Sequence, residues 1–197
     1  MPRAPGQIDE QKSQAILEAA TDLFGRKGAK ASMAEIAKLA GVSKQTLYNR
    51  YPTKAELART LLTQRAMTIT APLDEDRDAE QTLAIVGEAL LSRTLHKNSA
   101  DHLRALAQIS REDSALTLAV FEAGPAQSIS RISNWLRKQT LAGHLSVANP
   151  DEAAEVFIGM ILGHSHLRLI LGLEPSKRDP KAHAIEVARR FVRAYAT

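Results

Sequence analysis

Lys44, Gln45, Thr46, Tyr48, Asn49 and Arg50 fall within one stretch, SKQTLYNR. If that stretch is helical, at about 100° per residue, Asn49 and Gln45 point most nearly away from Leu47, with Thr46 and Tyr48 on their flanks. An Asn or Gln amide sets a donor beside an acceptor, the pattern that matches N7 and N6 of adenine in the major groove of a duplex. Lys44, Arg50 and the nearby Lys54 stand around the margin, where an ammonium or guanidinium contacts phosphate. The chemistry offered is recognition of a double-stranded polyanion.

Such a surface needs a mount, and SMAEIAKLAGVSKQTLYNRYPTKAEL, residues 32–57, supplies the signals for one. Ser32 and Glu35 have capping-box spacing, as do Thr53 and Glu56, and Ser43 is a good N-cap between them. These signals predict helices over 33–39, 44–50 and from Lys54 to about Thr70. Helices shorter than about 12 residues do not persist alone, so the first two must be held by something larger. With Gly41 permitting a tight turn, Ile36, Ala37, Ala40, Val42, Leu47 and Tyr51 can all bury inward, giving a helix-turn-helix. Ser32 and Thr53, at two of the helix starts, complete the set expected to face DNA.

Composition agrees with a polyanion partner at one end only. Residues 1–65 hold 11 Lys and Arg against 6 Asp and Glu, and residues 66–197 hold 15 against 16, so +5 and −1 make up the net +4. A basic module joined to a near-neutral one is expected, divided as 1–65 and 66–197. No apolar run approaches the ~20 residues that span a bilayer, and MPRAPGQIDE lacks the apolar core of a signal peptide, so a cytoplasmic protein is expected. The chain has no cysteine, which removes disulfides and thiolate metal sites. His164 and His166, at i and i+2, point to different faces with no carboxylate at ligand spacing, so no metal is expected. No phosphate loop and no Gly-x-Ser-x-Gly elbow occur; neither an enzyme nor a cofactor is expected.

Helical patterns fill the chain, and no period-2 alternation is sustained, so the fold class is all-α. Asp9 can start a helix whose Ile16, Leu17, Ala20, Leu23 and Phe24 form one stripe before Gly28 stops it. The acidic, proline-containing TAPLDEDRD reads as the junction between modules. Beyond it, helices are predicted over 79–96, 99–111, 114–123, 125–142, 150–171 and 180–196, forming a compact bundle. Gly124-Pro125, Asn149-Pro150 and Asp179-Pro180 mark three starts, and Gly143 and Gly172 two stops.

The run ILEAATDLFGRKG, followed by SMAEIAKLAGVSKQTLYNRYPTKAEL, closely resembles the N-terminal DNA-binding domain of the TetR family of transcriptional regulators. The likeness covers roughly residues 10–62 and includes the Ala-Gly-Val-Ser turn, the Leu47-Tyr48 pair and the Lys54 after Pro52-Thr53. The tract from Ala119 to Gly163 is similar to the C-terminal domain of regulators related to aromatic-efflux repressors. The resemblance implies an N-terminal three-helix DNA-binding domain, a C-terminal helical domain that dimerises and binds a small-molecule inducer, and repression at an operator bound as a homodimer. Matched to the motif, Lys44, Thr46, Tyr48, Asn49 and Lys54 are the positions that touch DNA. The family's common His-Phe is here Arg50-Tyr51, which makes a switchable contact a permanent charge. The alternative is a DNA-binding regulator or activator without an inducer.

Two further surfaces follow. On the predicted helix 150–171, Val156, Gly159, Gly163, His166 and Ile170 share a face on which glycines let a partner helix approach. With Ile185 and Val192 of the last helix, this face is expected to form an intersubunit four-helix bundle. On the opposite face, Phe157, Ile161, His164 and Arg168, covered by Phe121 and Trp135, are expected to line an apolar ligand pocket with polar anchors.

Overall fold

The computed structural model describes residues 5–95, 114–174 and 176–197, and every regular element among them is helical. Helix α1 (Pro5–Lys27) begins at Pro5, ahead of the expected Asp9, because proline at the first helical position forfeits no hydrogen bond. It ends at Gly28, whose φ of +55° opens a 3-10 turn over Gly28–Lys30. Helices α2 (Met33–Leu39), α3 (Lys44–Arg50) and α4 (Lys54–Thr70) follow with the bounds their caps predict. Ser32 closes a full capping box with Glu35. Thr53 supplies only half of one: its hydroxyl accepts from the Glu56 N–H at 3.1 Å, while Glu56 Oε2 is buried without a hydrogen-bond partner.

TAPLDEDRD is an ordered turn. A 3-10 segment over Ala71–Asp74 buries Leu73, and Asp78 then caps α5 (Ala79–Thr94) by accepting from the Gln81 N–H at 2.9 Å. The predicted helix 99–111 lies outside the described residues. Helices α6 (Ser114–Ala123) and α7 (Pro125–Leu141) run as expected. The predicted helix 150–171 is broken: α8 (Pro150–Leu162) stops at Gly163, with φ +49° and ψ −144°, and a short α9 (Ser165–Ile170) restarts beyond it. Gly163 was expected inside a helix as a packing site; instead it takes a backbone conformation that favours glycine. His183 Nε2 lies 3.1 Å from the Ile161 carbonyl oxygen, satisfying an acceptor that the break leaves open. Helix α10 (Pro180–Ala194) starts at Asp179, whose carboxylate accepts from the N–H groups of Lys181 and Ala182.

The apolar residues divide into two clusters joined by α4. Near its start, Leu57 is buried with Ile16, Ala20, Leu23, Ile36 and Leu47, the residues that clamp α2 and α3 onto α1. Near its end, Ile69 is buried with Leu83, Ile132, Trp135, Phe157 and Phe191. Phe191 meets Phe157 edge-on at 5.3 Å between ring centroids, fixing α10 against α8. One continuous helix thus contributes to both clusters.

Candidate functional site

The mount for α3 is Leu47, fully buried, a placement that stabilises by about 1.5–3 kcal/mol. Ser43 starts the helix by accepting from the Thr46 N–H at 3.0 Å, and its hydroxyl shares a 2.8 Å hydrogen bond with Thr46 Oγ1. Gly41, with φ +66°, makes the turn, and the Val42 N–H donates to the Ala37 carbonyl at 3.0 Å to lock it. Lys44, Gln45, Tyr48 and Asn49 are exposed and Thr46 is half-buried, so the face opposite Leu47 is the one the sequence predicts.

Contacts within this face were not foreseen. Gln45 Nε2 donates to Asn49 Oδ1 at 2.7 Å, so the two amides form one unit. Asn49 Nδ2 keeps both donors and Gln45 Oε1 stays an acceptor, which preserves the complement of an adenine edge across two side chains. Arg50 departs from expectation. It is half-buried and donates from Nη1 to Ser13 Oγ on α1, because its long side chain reaches back along the mount. Exposed Lys54 donates to the Ala31 carbonyl at 3.3 Å, tying the start of α4 to the entry of α2.

Ser32 and Thr53 are exposed at their helix starts. Beneath Ser32, Glu35 accepts from the Ser32 N–H at 3.0 Å and its hydroxyl at 2.9 Å, and pairs with Lys27. The Lys27 hydrogen bond first, then the bonds from Ser32, lower the Glu35 carboxyl from 4.5 to about 2.

Among the described residues, those expected to line a ligand pocket are divided. Phe157, Ile161 and Trp135 are packed into the second cluster, whereas Phe121, His164 and Arg168 are exposed. Arg168 donates to the Glu174 carbonyl at 2.7 Å. The break at Gly163 parts His164 and Arg168 from Phe157 and Ile161, since α9 no longer continues the face of α8. The expected dimer stripe divides for the same reason. Val156, Gly159 and Ile185 are exposed, and a methyl group built at Gly159 meets nothing within 4 Å. His166 and Ile170 are half-buried on α9, Gly163 is the break itself, and Val192 packs against its own core.

A cleft that sequence reasoning missed lies between α7 and the Ala71–Asp74 turn, lined by Leu73, Asp74, Arg131, Asn134, Trp135 and Lys138. Its signal was present in the sequence: positions 131, 134, 135 and 138 form one helical stripe that mixes cations, an amide and an indole.

Two family models match the chain. Residues 16–61 match the bacterial regulatory proteins of the TetR family, and residues 81–197 match the C-terminal domain of AefR-like transcriptional repressors. An uncharacterized HTH-type transcriptional regulator of Bacillus subtilis, YvkB, is 28% identical over 80% of this chain and 82% of its own. The flavonoid-responsive regulator FrrA superposes with a TM-score of 0.64 at 27% identity, over 95% of this chain and 98% of that one. A TetR transcriptional regulator from Agrobacterium tumefaciens gives a TM-score of 0.72 at 25% identity, over 99% and 96%. With the helix-turn-helix and the larger C-terminal part both matched, the chain belongs to the TetR family of DNA-binding transcriptional regulators.

Proposed function

We propose that this regulator is a repressor that binds a palindromic operator as a homodimer and is released by a small, mostly apolar ligand. The observation that carries the DNA reading is the outward face of α3, where Lys44, Gln45, Tyr48 and Asn49 stand exposed over a buried Leu47. Amides aimed outward from a capped, buried-backed helix suit base edges, and flanking cations suit phosphates. Footprinting on promoter fragments tests it: a protected two-fold site that Asn49→Ala weakens is expected, and protection unaltered by changes across α3 rules this face out.

Dimerisation is assigned to α8 and α10. Val156 and Ile185 are exposed apolar residues, and Gly159 leaves room for a partner backbone. Exposed Glu152 and Glu155 on α8 complement exposed Arg189 and Arg193 on α10 across a two-fold axis. Release by a ligand is supported by the match to repressor C-terminal domains and by one relative's description as flavonoid-responsive, which favours an aromatic effector. Such a ligand acts only by binding the form that cannot span the operator more tightly, by about 5.5 kcal/mol for a near-complete switch. The working compartment on this reading is the cytoplasm, where the operator lies.

A further inference from the structure

Arg131, on α7, is held against the last turn of α4. Its Nε donates to Thr70 Oγ1 at 2.7 Å, and its Nη2 reaches the Thr70 carbonyl at 3.5 Å and Asp74 Oδ2 at 2.5 Å. Thr70 is fully buried, and its hydroxyl also donates to the Ala66 carbonyl at 2.7 Å. The same guanidinium walls the cleft lined by Leu73, Asp74, Asn134, Trp135 and Lys138. Leu73 and Trp135 supply apolar walls; Arg131 and Lys138 outnumber the one carboxylate, Asp74.

The geometry points to this cleft as a binding site for a small planar carboxylate, held by Arg131 and Lys138 beside Trp135, whose occupancy loosens the end of α4. The inference rests on the ligand-responsive reading above and names the ligand class. A guanidinium has five donors in a fork; with Nε and Nη2 engaged, Nη1 can donate to a bound anion, and Nη2 can exchange one carboxylate for another. That exchange is inexpensive because Asp74 is two-thirds exposed, and water screens the carboxylate side of the pair. At about 190 Å³, the cleft is smaller than the ~300–1,000 Å³ of sites for drug-sized ligands, so a single-ring acid suits it. A ligand that draws Nη2 away removes its bonds to Asp74 and to the Thr70 carbonyl, one tether between the Ala71–Asp74 turn and the last turn of α4, and the other end of that helix, at Leu57, supports the cluster carrying α3.

Trp135 is the only tryptophan in the chain, so its emission reports this cleft directly. The full chain is titrated with benzoate and, as a neutral counterpart, benzamide, without DNA. Benzoate is expected to give a saturable change, with benzamide weaker by about tenfold or more, the loss of a charge-assisted contact. Lys138→Gln, which leaves the Thr70 contacts alone, should weaken benzoate several-fold; Asp74→Asn, which removes a competing carboxylate, should tighten it. Binding to a duplex selected from a randomised pool is measured separately and should weaken as benzoate saturates. No saturable change through the millimolar range, equal binding of benzamide, or affinity unmoved in both variants overturns the site. Emission changes that leave duplex affinity untouched overturn its coupling to α4. Failure of the chain to bind any duplex sinks the DNA reading instead, and leaves the fluorescence result to stand by itself.

Discussion

On the proposed operator-binding reading, Gln45 and Asn49 contact bases either independently or as one unit, and the 2.7 Å bond between their amides favours the unit. Removing either amide frees the other to rotate, so each single substitution loses most of what the pair supplies. On a selected duplex, Gln45→Ala and Asn49→Ala should each cost about 1–3 kcal/mol, and the double variant little more than either. Binding titrations on all four proteins check this; costs that add would show two separate readers. The side chains of this site were legible in the sequence because helical geometry fixes which face they share. Their contacts were not: the Arg50 bond to Ser13 joins residues 37 apart, and only the packing of α3 on α1 brings them together. Glu35 carries a pH signature of its own. Its folded pKa lies near 2, below the ordinary 4.5, so its contribution to stability is fully present above 4.5 and is lost as pH falls from there toward 2. Thermal melts of Glu35→Gln should lie below the wild type at neutral pH, and the gap should close across that window; a constant gap would mean the carboxylate's charge is irrelevant.

Among the elements, starts were legible wherever a side chain announced them. Ser32, Ser43, Thr53, Asn149 and Asp179 all accept from backbone N–H groups of the first turn. Glycine was harder to read, because the same residue serves as a stop and as a site of close approach. Gly28, Gly143 and Gly172 read as stops; Gly163 reads as a packing site, yet the helix ends there, so the predicted ligand face and dimer stripe both run past the end of α8. The distinction yields a pair of expected outcomes. Gly159 is helical and a side chain there meets nothing in its own chain, so Gly159→Leu should preserve or raise monomer stability, by up to about 1 kcal/mol. If α8 meets its symmetry mate, the same change should give a monomer by sedimentation. Gly163→Ala should behave differently, costing about 1–2 kcal/mol of stability because φ is +49° there. A Gly159→Leu protein that remains a tight dimer would move the interface off this face.

Charge is distributed over the whole molecule so that residues 1–65 carry the positive excess, and the remainder is near neutral. Two copies related by a two-fold axis would present two basic modules to one duplex, and recognition helices entering successive major grooves require half-sites about 34–36 Å apart or a near multiple. Every phosphate contact is then made twice. Binding releases about 0.9 counterion per phosphate neutralised, so deleting one contacting lysine per protomer should lower the slope of log affinity against log salt by about 2. Lys44, exposed at the first position of α3, is the residue on which to measure it. Lys44→Ala is expected to weaken all duplexes alike and flatten the salt dependence by that amount. Asn49→Ala should leave the slope unchanged while relaxing preference for adenine at the centre of each half-site. Lys54 has a second duty, its bond to the Ala31 carbonyl, so Lys54→Ala should flatten the slope and also lower the melting temperature. A salt slope unmoved by Lys44→Ala, or a Lys44→Ala protein with altered sequence preference, would reverse the division of labour between the margin and the centre of α3.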